Sequence, residues 1–197
     1  MMKSIKESKI REYFDFYQTK VLPEVEKLAT QKKEGYHGLH THTDAVVFRA
    51  IDYALELGQN PMPVLFAAAC HDMARTHDFY DEMHGENALP MAQKIMHKFK
   101  NELTDSEKQS VLLAIKDHTT GGNATDYISA CLWDADRTRL SWERGYCEAF
   151  FNTEYGKKVA SGDAKKYITW QNEVLGRTNK EKEDLLKLID RLKTHQK

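Results

Sequence analysis

The chain contains few cysteines and prolines and has almost no net charge. Its 197 residues include 3 cysteines and 4 prolines, and its formal net charge at pH 7 is -1. Cys70, Cys131 and Cys147 form no CxxC pair, which argues against a cysteine zinc knuckle and against a disulfide framework. The lack of an overall basic field argues against binding to a nucleic-acid duplex.

Long apolar runs and strand-like alternation are absent as well. No stretch reaches the roughly 18 apolar residues of a membrane-spanning helix, and residues 1–14 lack the apolar centre of a signal peptide. We therefore expect no membrane association, and the unpaired cysteines favour a reducing cytoplasm. No glycine-rich phosphate loop or dinucleotide fingerprint is present to indicate another nucleotide chemistry.

The apolar residues recur at helical spacing along almost the whole chain, which predicts an all-α protein of one domain over residues 1–197. Thr104 and Glu107 stand three positions apart as a capping box, which predicts a helix start. Segment 75–86 has few periodic apolar residues and is predicted to be a loop. The predicted helices cover about residues 5–30, 41–57, 64–74, 86–99, 104–118, 125–140, 141–152 and 164–195.

Several of the nine histidines stand where helical spacing predicts a buried face. His42, for example, shares a face with Val46 and Ala50. One such histidine alone is more often a core residue bonded to the backbone. A set on five helices predicts a metal site, because buried imidazole and carboxylate groups are costly unless paired or bound to metal. The set comprises His42, His71, Asp72, His84, His118, Asp134 and Asp136.

Five short segments together resemble one known family. The order of a histidine, an adjacent His-Asp pair and a distal aspartate resembles the H…HD…D signature of the HD-domain superfamily, an all-helical family made up largely of metal-dependent phosphohydrolases. The resemblance covers about residues 37–140 and implies an HD-type helical bundle with helical extensions over 1–34 and 141–197. The segments are HTDAVVFRA at 42–50, AAACHDMAR at 67–75, HGENA at 84–88, DHTTGG at 117–122 and LWDADRTRL at 132–140.

Within that family, the HTTG segment is most similar to the branch that hydrolyses diadenosine tetraphosphate. An aspartate of an Ala-Asp pair follows the histidine of this segment after 18 residues. The resemblance implies one or two divalent ions, which could be Mn, Fe, Ni, Zn, Co or Mg. The ligands implied for the first ion are His42, His71, Asp72 and Asp136. His84 and His118 would hold the second ion, with Asp72 bridging the two.

Two histidine alternatives stay open beside this assignment. His40 competes with His42 as a ligand, and the family pattern of a small apolar residue eight positions later favours His42, since Ala50 stands there. His77 and Asp78 form a second His-Asp pair, but they lie in the predicted loop without an apolar run before them.

Asp134 and Asp136 compete for the distal ligand position. The two lie about 200° apart on a helix, so only one can face the proposed ions. The Ala-Asp-Arg context of the family favours Asp136, with Asp134 as the alternative ligand.

The resemblance also implies roles in hydrolysis of a phosphoester or phosphoanhydride bond. Asp72 would orient and partly deprotonate the attacking water, and His84 or His118, if not a ligand, could protonate the leaving group. His37 is predicted to be a loop residue that could touch substrate. The cationic residues that could hold phosphate, or alternatively form surface ion pairs, are Arg75, Lys116 and Arg137.

The expected partner is a small phosphorylated substrate, by resemblance a nucleotide. The final amphipathic segment could cover the core or support a homodimer. Two rival functions keep the same fold: a non-catalytic nucleotide- or metal-binding sensor, which would bind nucleotide without turnover, and a di-iron oxygenase, which would consume oxygen. A third rival, a helical interaction protein, predicts no stoichiometric metal.

Overall fold

The computed structural model describes residues 2–33, 35–79, 81–177, 186, 187 and 190. In it, polar side chains cap the first turns of several helices. The predicted capping box is confirmed, because Thr104 Oγ1 accepts from the Glu107 amide and the Glu107 carboxylate accepts from the Thr104 amide. Asp126 Oδ1 likewise accepts from the first amides of the next helix. These side chains satisfy amide groups that have no partner within their own helix.

The all-α prediction is confirmed, since no strand occurs in the described residues. Two π-helical turns, Tyr17–Val21 and Leu39–Thr43, interrupt or precede α-helices, and a 3₁₀ turn covers Glu148–Phe150. The α-helices are α1 (Met2–Phe16), α2 (Leu22–Leu28), α3 (Asp44–Glu56), α4 (Pro61–Cys70), α5 (His84–Lys98), α6 (Asp105–Asp117), α7 (Tyr127–Arg144), α8 (Glu154–Ala160) and α9 (Ala164–Leu175).

Helix α4 lies at the centre of the fold. Its residues are buried on all sides apart from Met62, which is partly exposed. It packs against α3, α6 and α7, and also against α5 and the N-terminal helices. A helix surrounded by other helices is apolar all round, as the sequence PMPVLFAAAC is. The two residues that follow it, His71 and Asp72, are therefore delivered to the interior.

The outer helices pack on the same core. Helix α1 contacts α3, α4 and α9, whereas α8 contacts α3, α7 and α9. Among the described residues, no helix combines the length and the apolar character needed to cross a membrane. The described parts of the two segments predicted as extensions thus lie against the helices that carry the proposed ligands.

Several predicted helix boundaries are wrong, and α4, predicted to reach residue 74, ends at Cys70. Helix α5 begins at His84, two residues before the predicted start. The helix predicted over 141–152 does not exist, because α7 continues through Arg144 and ends at Gly145, whose φ of +106° is unfavourable for other residues. Helix α9 ends where Gly176 adopts the left-handed conformation.

The apolar stripe predicted for the last segment falls mostly on residues that the structure does not describe. Leu186 is described and packs against the core. The other stripe residues, which lie outside the described residues, are Leu185, Leu188, Ile189 and Leu192.

Candidate metal centre

Four of the predicted ligands form a first subsite between α3, α4 and α7. His42 Nε2 lies 3.0 Å from Asp136 Oδ1 and 3.3 Å from His71 Nε2. Asp72 Oδ2 lies 3.6 Å from the Nε2 atoms of both histidines. Donor atoms of His42, His71 and Asp136 lie close enough together to hold one metal ion.

A second subsite lies on the other side of the Asp72 carboxylate. His84 Nε2 lies 2.8 Å from Asp72 Oδ1 and 2.7 Å from His118 Nε2. His118 Nε2 is itself 3.6 Å from Asp72 Oδ1. Asp72 Oδ2 therefore faces histidines of the first subsite and Oδ1 those of the second, so Asp72 is shared by the two subsites. His71 also groups with Asp72 and His118 as possible ligands of one ion.

The same backbone contact orients three of these rings. The Nδ1 atoms of His71 and His118 each lie 2.7 Å from the carbonyl oxygen three residues earlier, that of Ala68 and that of Ile115. His84 Nδ1 makes the equivalent contact with the carbonyl of Asp81. Because a carbonyl oxygen can only accept, each Nδ1 carries the proton, and in the neutral ring Nε2 is left with its lone pair.

The lone pairs left on Nε2 point at one another and at the Asp72 carboxylate. His84 and His118 meet at 2.7 Å through such atoms, so either a shared proton or a bound cation must separate their lone pairs. Helix geometry contributes to this arrangement, since His71 and His118 are the residues that follow the last turns of α4 and α6. They bind carbonyl groups that helix ends leave without partners.

Asp72 has no hydrogen-bond partner for either carboxylate oxygen among the described residues, although only 2% of its side chain is exposed. His42 Nδ1 also has no partner. A buried carboxylate that makes no hydrogen bond is costly. Among the described residues the cationic neighbour of Asp72 is Arg75, 3.2 Å from Oδ1, so the Oδ2 side favours a further cation.

The charge states of the first subsite also suit a cation. Burial lowers the pKa of His71 to about 4, although Asp72 and Asp136 act in the opposite direction. Burial likewise lowers the pKa of His42. These rings are therefore neutral at pH 7, as metal ligation requires.

The two aspartates are ionised. Burial alone would raise the pKa of Asp72, but as the pH falls the neighbouring histidines, His71 foremost, take up protons first, and their charge holds the pKa of Asp72 well below its ordinary value. At Asp136 burial would also raise the pKa, but the contact with His42 outweighs it and keeps the pKa of Asp136 below its ordinary value. At His118 burial would lower the pKa, but the Asp72 carboxylate raises it.

Glycine at position 85 permits the second subsite to form. A Cβ at Gly85 would lie 2.6 Å from the Ile115 carbonyl oxygen and 3.0 Å from His118 Nδ1. Only a residue without a side chain lets the start of α5 approach the end of α6 this closely. His84 and His118 meet because of this contact.

His37 joins the first subsite, although the sequence predicts it only as a loop residue that could touch substrate. Its Nδ1 lies 3.4 Å from Asp72 Oδ2, and its donor atoms group with those of His42 and Asp72. The preceding residue, Tyr36, is anchored to α7 because its carbonyl accepts from Arg139 Nη1 at 2.8 Å. No periodic signal marks a loop residue of this kind, so the sequence pattern could not have placed it.

Arg75 lies at the second subsite, whereas Lys116 is exposed on α6. Arg75 Nε is 3.2 Å from Asp72 Oδ1, and its Nη2 is 3.2 Å from His84 Nε2.

The guanidinium of Arg137 lies behind His118 and donates to backbone carbonyls. Those carbonyls belong to His118, Gly121 and Phe150.

The alternative ligands lie away from both subsites. His40 Nε2 is 2.9 Å from Glu26 Oε1.

Asp134 is fully buried and accepts hydrogen bonds from Asn152 and Thr153, which places it at the start of α8. His77 and Asp78 are exposed in the predicted loop.

Buried imidazole and carboxylate groups in this arrangement could hold a metal ion. A cation would neutralise Asp72 and bind the Nε2 lone pairs of the first subsite, whereas at the second subsite Arg75 already pairs with Asp72 Oδ1 and donates to His84 Nε2. No family model, curated protein or solved structure matches this chain.

Proposed function

We propose that the chain is a metal-dependent phosphohydrolase of the HD-domain type. The observation that carries this proposal is the Asp72 carboxylate, whose two buried oxygens form no hydrogen bond among the described residues and face separate groups of histidines. A carboxylate shared between two histidine groups suits a site for one or two ions. The type of reaction, hydrolysis at phosphorus, is proposed from the motifs that resemble the HD-domain superfamily.

The donor set narrows the choice of metal. Imidazole groups make up at least half of the donor residues at each subsite, with His42 and His71 beside Asp72 and Asp136 in the first and His84 and His118 beside Asp72 in the second. Imidazole suits iron, nickel or zinc, the carboxylates also allow manganese, and magnesium prefers a site made of oxygen ligands. We therefore propose a transition metal in place of magnesium.

Bound metal in such a site supplies a water molecule of lowered pKa and neutralises charge on phosphate oxygens. The chain's own residues provide the rest of the proposed chemistry. The Asp72 carboxylate accepts a hydrogen bond from the attacking water and orients it. His37, on the loop beside Asp72 Oδ2, is in position to hold a proton for the leaving oxygen.

The proposed substrate is a small molecule with a phosphoester or phosphoanhydride bond, and the resemblance of the HTTG segment points to a nucleotide. Arg75 is the cationic side chain nearest the subsites among those considered for phosphate. Arginine suits that role because its planar guanidinium can donate two hydrogen bonds to one phosphate.

A phosphate-release assay tests the proposal. Protein reconstituted with manganese, iron, cobalt, nickel or zinc is offered a panel of mononucleotides and dinucleoside polyphosphates, including diadenosine tetraphosphate. We expect turnover in wild-type protein, and an Asp136→Ala variant should lose about 10²-fold or more of it.

His97→Ala is the matched control, because His97 is an exposed histidine on α5, and it should retain full activity. Metal-loaded wild-type protein that binds nucleotide without any turnover would contradict the hydrolase proposal and leave a sensor.

A further inference from the structure

Arg75 occupies the position of a cation at the second subsite. Its Nη2 is hydrogen-bonded to His84 Nε2 at 3.2 Å, and its Nε lies 3.2 Å from Asp72 Oδ1. These two atoms are the ones that His84 and Asp72 would offer to a second metal ion. The guanidinium therefore uses part of the ligand set that the ion would need.

The two uses of these atoms exclude each other. His84 Nδ1 carries the ring proton because it contacts the Asp81 carbonyl, so His84 Nε2 has a single lone pair. That lone pair can accept an Arg75 N–H at 3.2 Å, share a proton with His118 Nε2 at 2.7 Å, or bind a metal, but it can do only one of these at a time. The positive charge of Arg75 would in addition repel an ion held by Asp72 Oδ1.

The first subsite is free of this conflict. The ion-pair contacts of Asp136 are with His42 and His71, and no arginine or lysine among the described residues pairs with it. Among the residues that the structure describes, the ion-pair contacts of Asp72 Oδ2, the oxygen on this side, are with histidines. An ion at the first subsite would therefore meet no competing cation.

Arg75 is also positioned so that it can leave. It has one further hydrogen bond, from Nη1 to the carbonyl oxygen of Phe79 at 3.1 Å. Phe79 is itself 80% exposed, and the side chain of Arg75 is 11% exposed. The guanidinium thus lies at the boundary between the subsite and the solvent-facing loop, where an anion could reach it.

We propose that Arg75 competes with a second metal ion for His84 and Asp72, and that a phosphate group relieves the competition by pairing with the guanidinium. This inference rests on the proposed function, since it assumes that an ion binds the first subsite. It makes binding of the second ion and of phosphate mutually dependent, because linkage between two ligands is reciprocal. The second ion would therefore arrive together with a phosphorylated substrate.

Titration with manganese tests the competition. Free manganese is measured by electron paramagnetic resonance in wild type, Arg75→Met and Arg75→Lys. We expect Arg75→Met to bind the second ion about tenfold more tightly or better than wild type. Arg75→Lys keeps the charge and should bind it no more tightly than wild type.

Two further variants assign the effect to the second subsite. Arg11→Met removes an exposed arginine on α1. It should leave the affinities for the first and the second manganese ion unchanged. Adding His84→Ala to Arg75→Met should abolish the gain, because His84 is the ligand that the two cations share.

Inorganic phosphate tests the coupling. In wild type we expect phosphate to increase the affinity for the second manganese ion. In Arg75→Met we expect phosphate to leave that affinity unchanged. A phosphate effect of equal size in both proteins would overturn the coupling, since phosphate would then act on the ions without Arg75.

The outcomes separate this inference from the proposed function. If one ion binds in a manner that depends on Asp136, but Arg75→Met binds the second ion no more tightly than wild type, the competition is overturned and the proposed function stands. If neither protein binds any ion, both are overturned together.

Discussion

Asp134 and Asp136 stand two positions apart on α7 and serve different parts of the molecule. The Asp134 carboxylate accepts from the Asn152 amide at 2.7 Å and from the Thr153 amide at 2.8 Å. Asp136 Oδ1 instead lies 3.0 Å from His42 Nε2. One turn of helix thus directs a structural carboxylate to one side and a candidate metal ligand to the other.

Alanine variants of these two aspartates should separate stability from metal binding. Asp134→Ala leaves the donors at the start of α8 without a partner and should lower the free energy of unfolding by about 2–4 kcal/mol. It should retain bound metal. Asp136→Ala should lose metal from the first subsite, with a smaller loss of stability in the metal-free protein. Urea unfolding in the presence of a chelator measures the stability of each variant, and elemental analysis measures its bound metal. Loss of metal in Asp134→Ala with metal retained in Asp136→Ala would contradict the assignment.

Substitution of Gly85 should remove the second subsite selectively. In Gly85→Ala the new Cβ meets the Ile115 carbonyl oxygen at 2.6 Å, so α5 and α6 must move apart at a cost of about 1–3 kcal/mol. With phosphate present, so that wild type can take up a second ion, we expect Gly85→Ala to bind the first ion normally and to lose the second. Gly122→Ala is the control, because a Cβ there meets no atom within 4 Å. Normal binding of two ions by Gly85→Ala would show that the helix contact is unimportant.

The three cysteines should differ sharply in reactivity. Burial raises the pKa of Cys70 to about 12 and also raises that of Cys131, whereas Cys147 is exposed. The thiolate is the reactive form, so a disulfide reagent at pH 8 should modify one thiol per native chain and all three after unfolding. Cys147→Ser should abolish the native reaction. Rapid labelling of Cys70 in the native protein would contradict the burial of α4.

Helix positions and most of the centre could be predicted because they follow from local rules. Helical spacing identifies the apolar faces, and the Thr104–Glu107 capping box marks a helix start directly in the sequence. His71 and His118 follow apolar helices, and the ends of those helices meet in the interior. The sequence pattern therefore indicated which side chains would converge.

The remaining features depend on contacts between residues far apart in the chain. His37 is placed by the bond between Tyr36 and Arg139, which are 103 positions apart. The role of Asp134 depends on the segment around Thr153. Neither contact leaves a periodic signal, so spacing alone could not have separated Asp134 from Asp136 or brought His37 to the site.

The most direct test of the metal centre is the metal content of wild-type protein beside Asp72→Ala, measured by elemental mass spectrometry. Asp72 is the residue that both subsites share, so its removal should affect both. We expect about one to two transition-metal ions per wild-type chain and almost none in the variant. No bound metal in wild type, even after incubation with manganese, iron, nickel and zinc, or equal metal in both proteins, would contradict a metal centre built on Asp72.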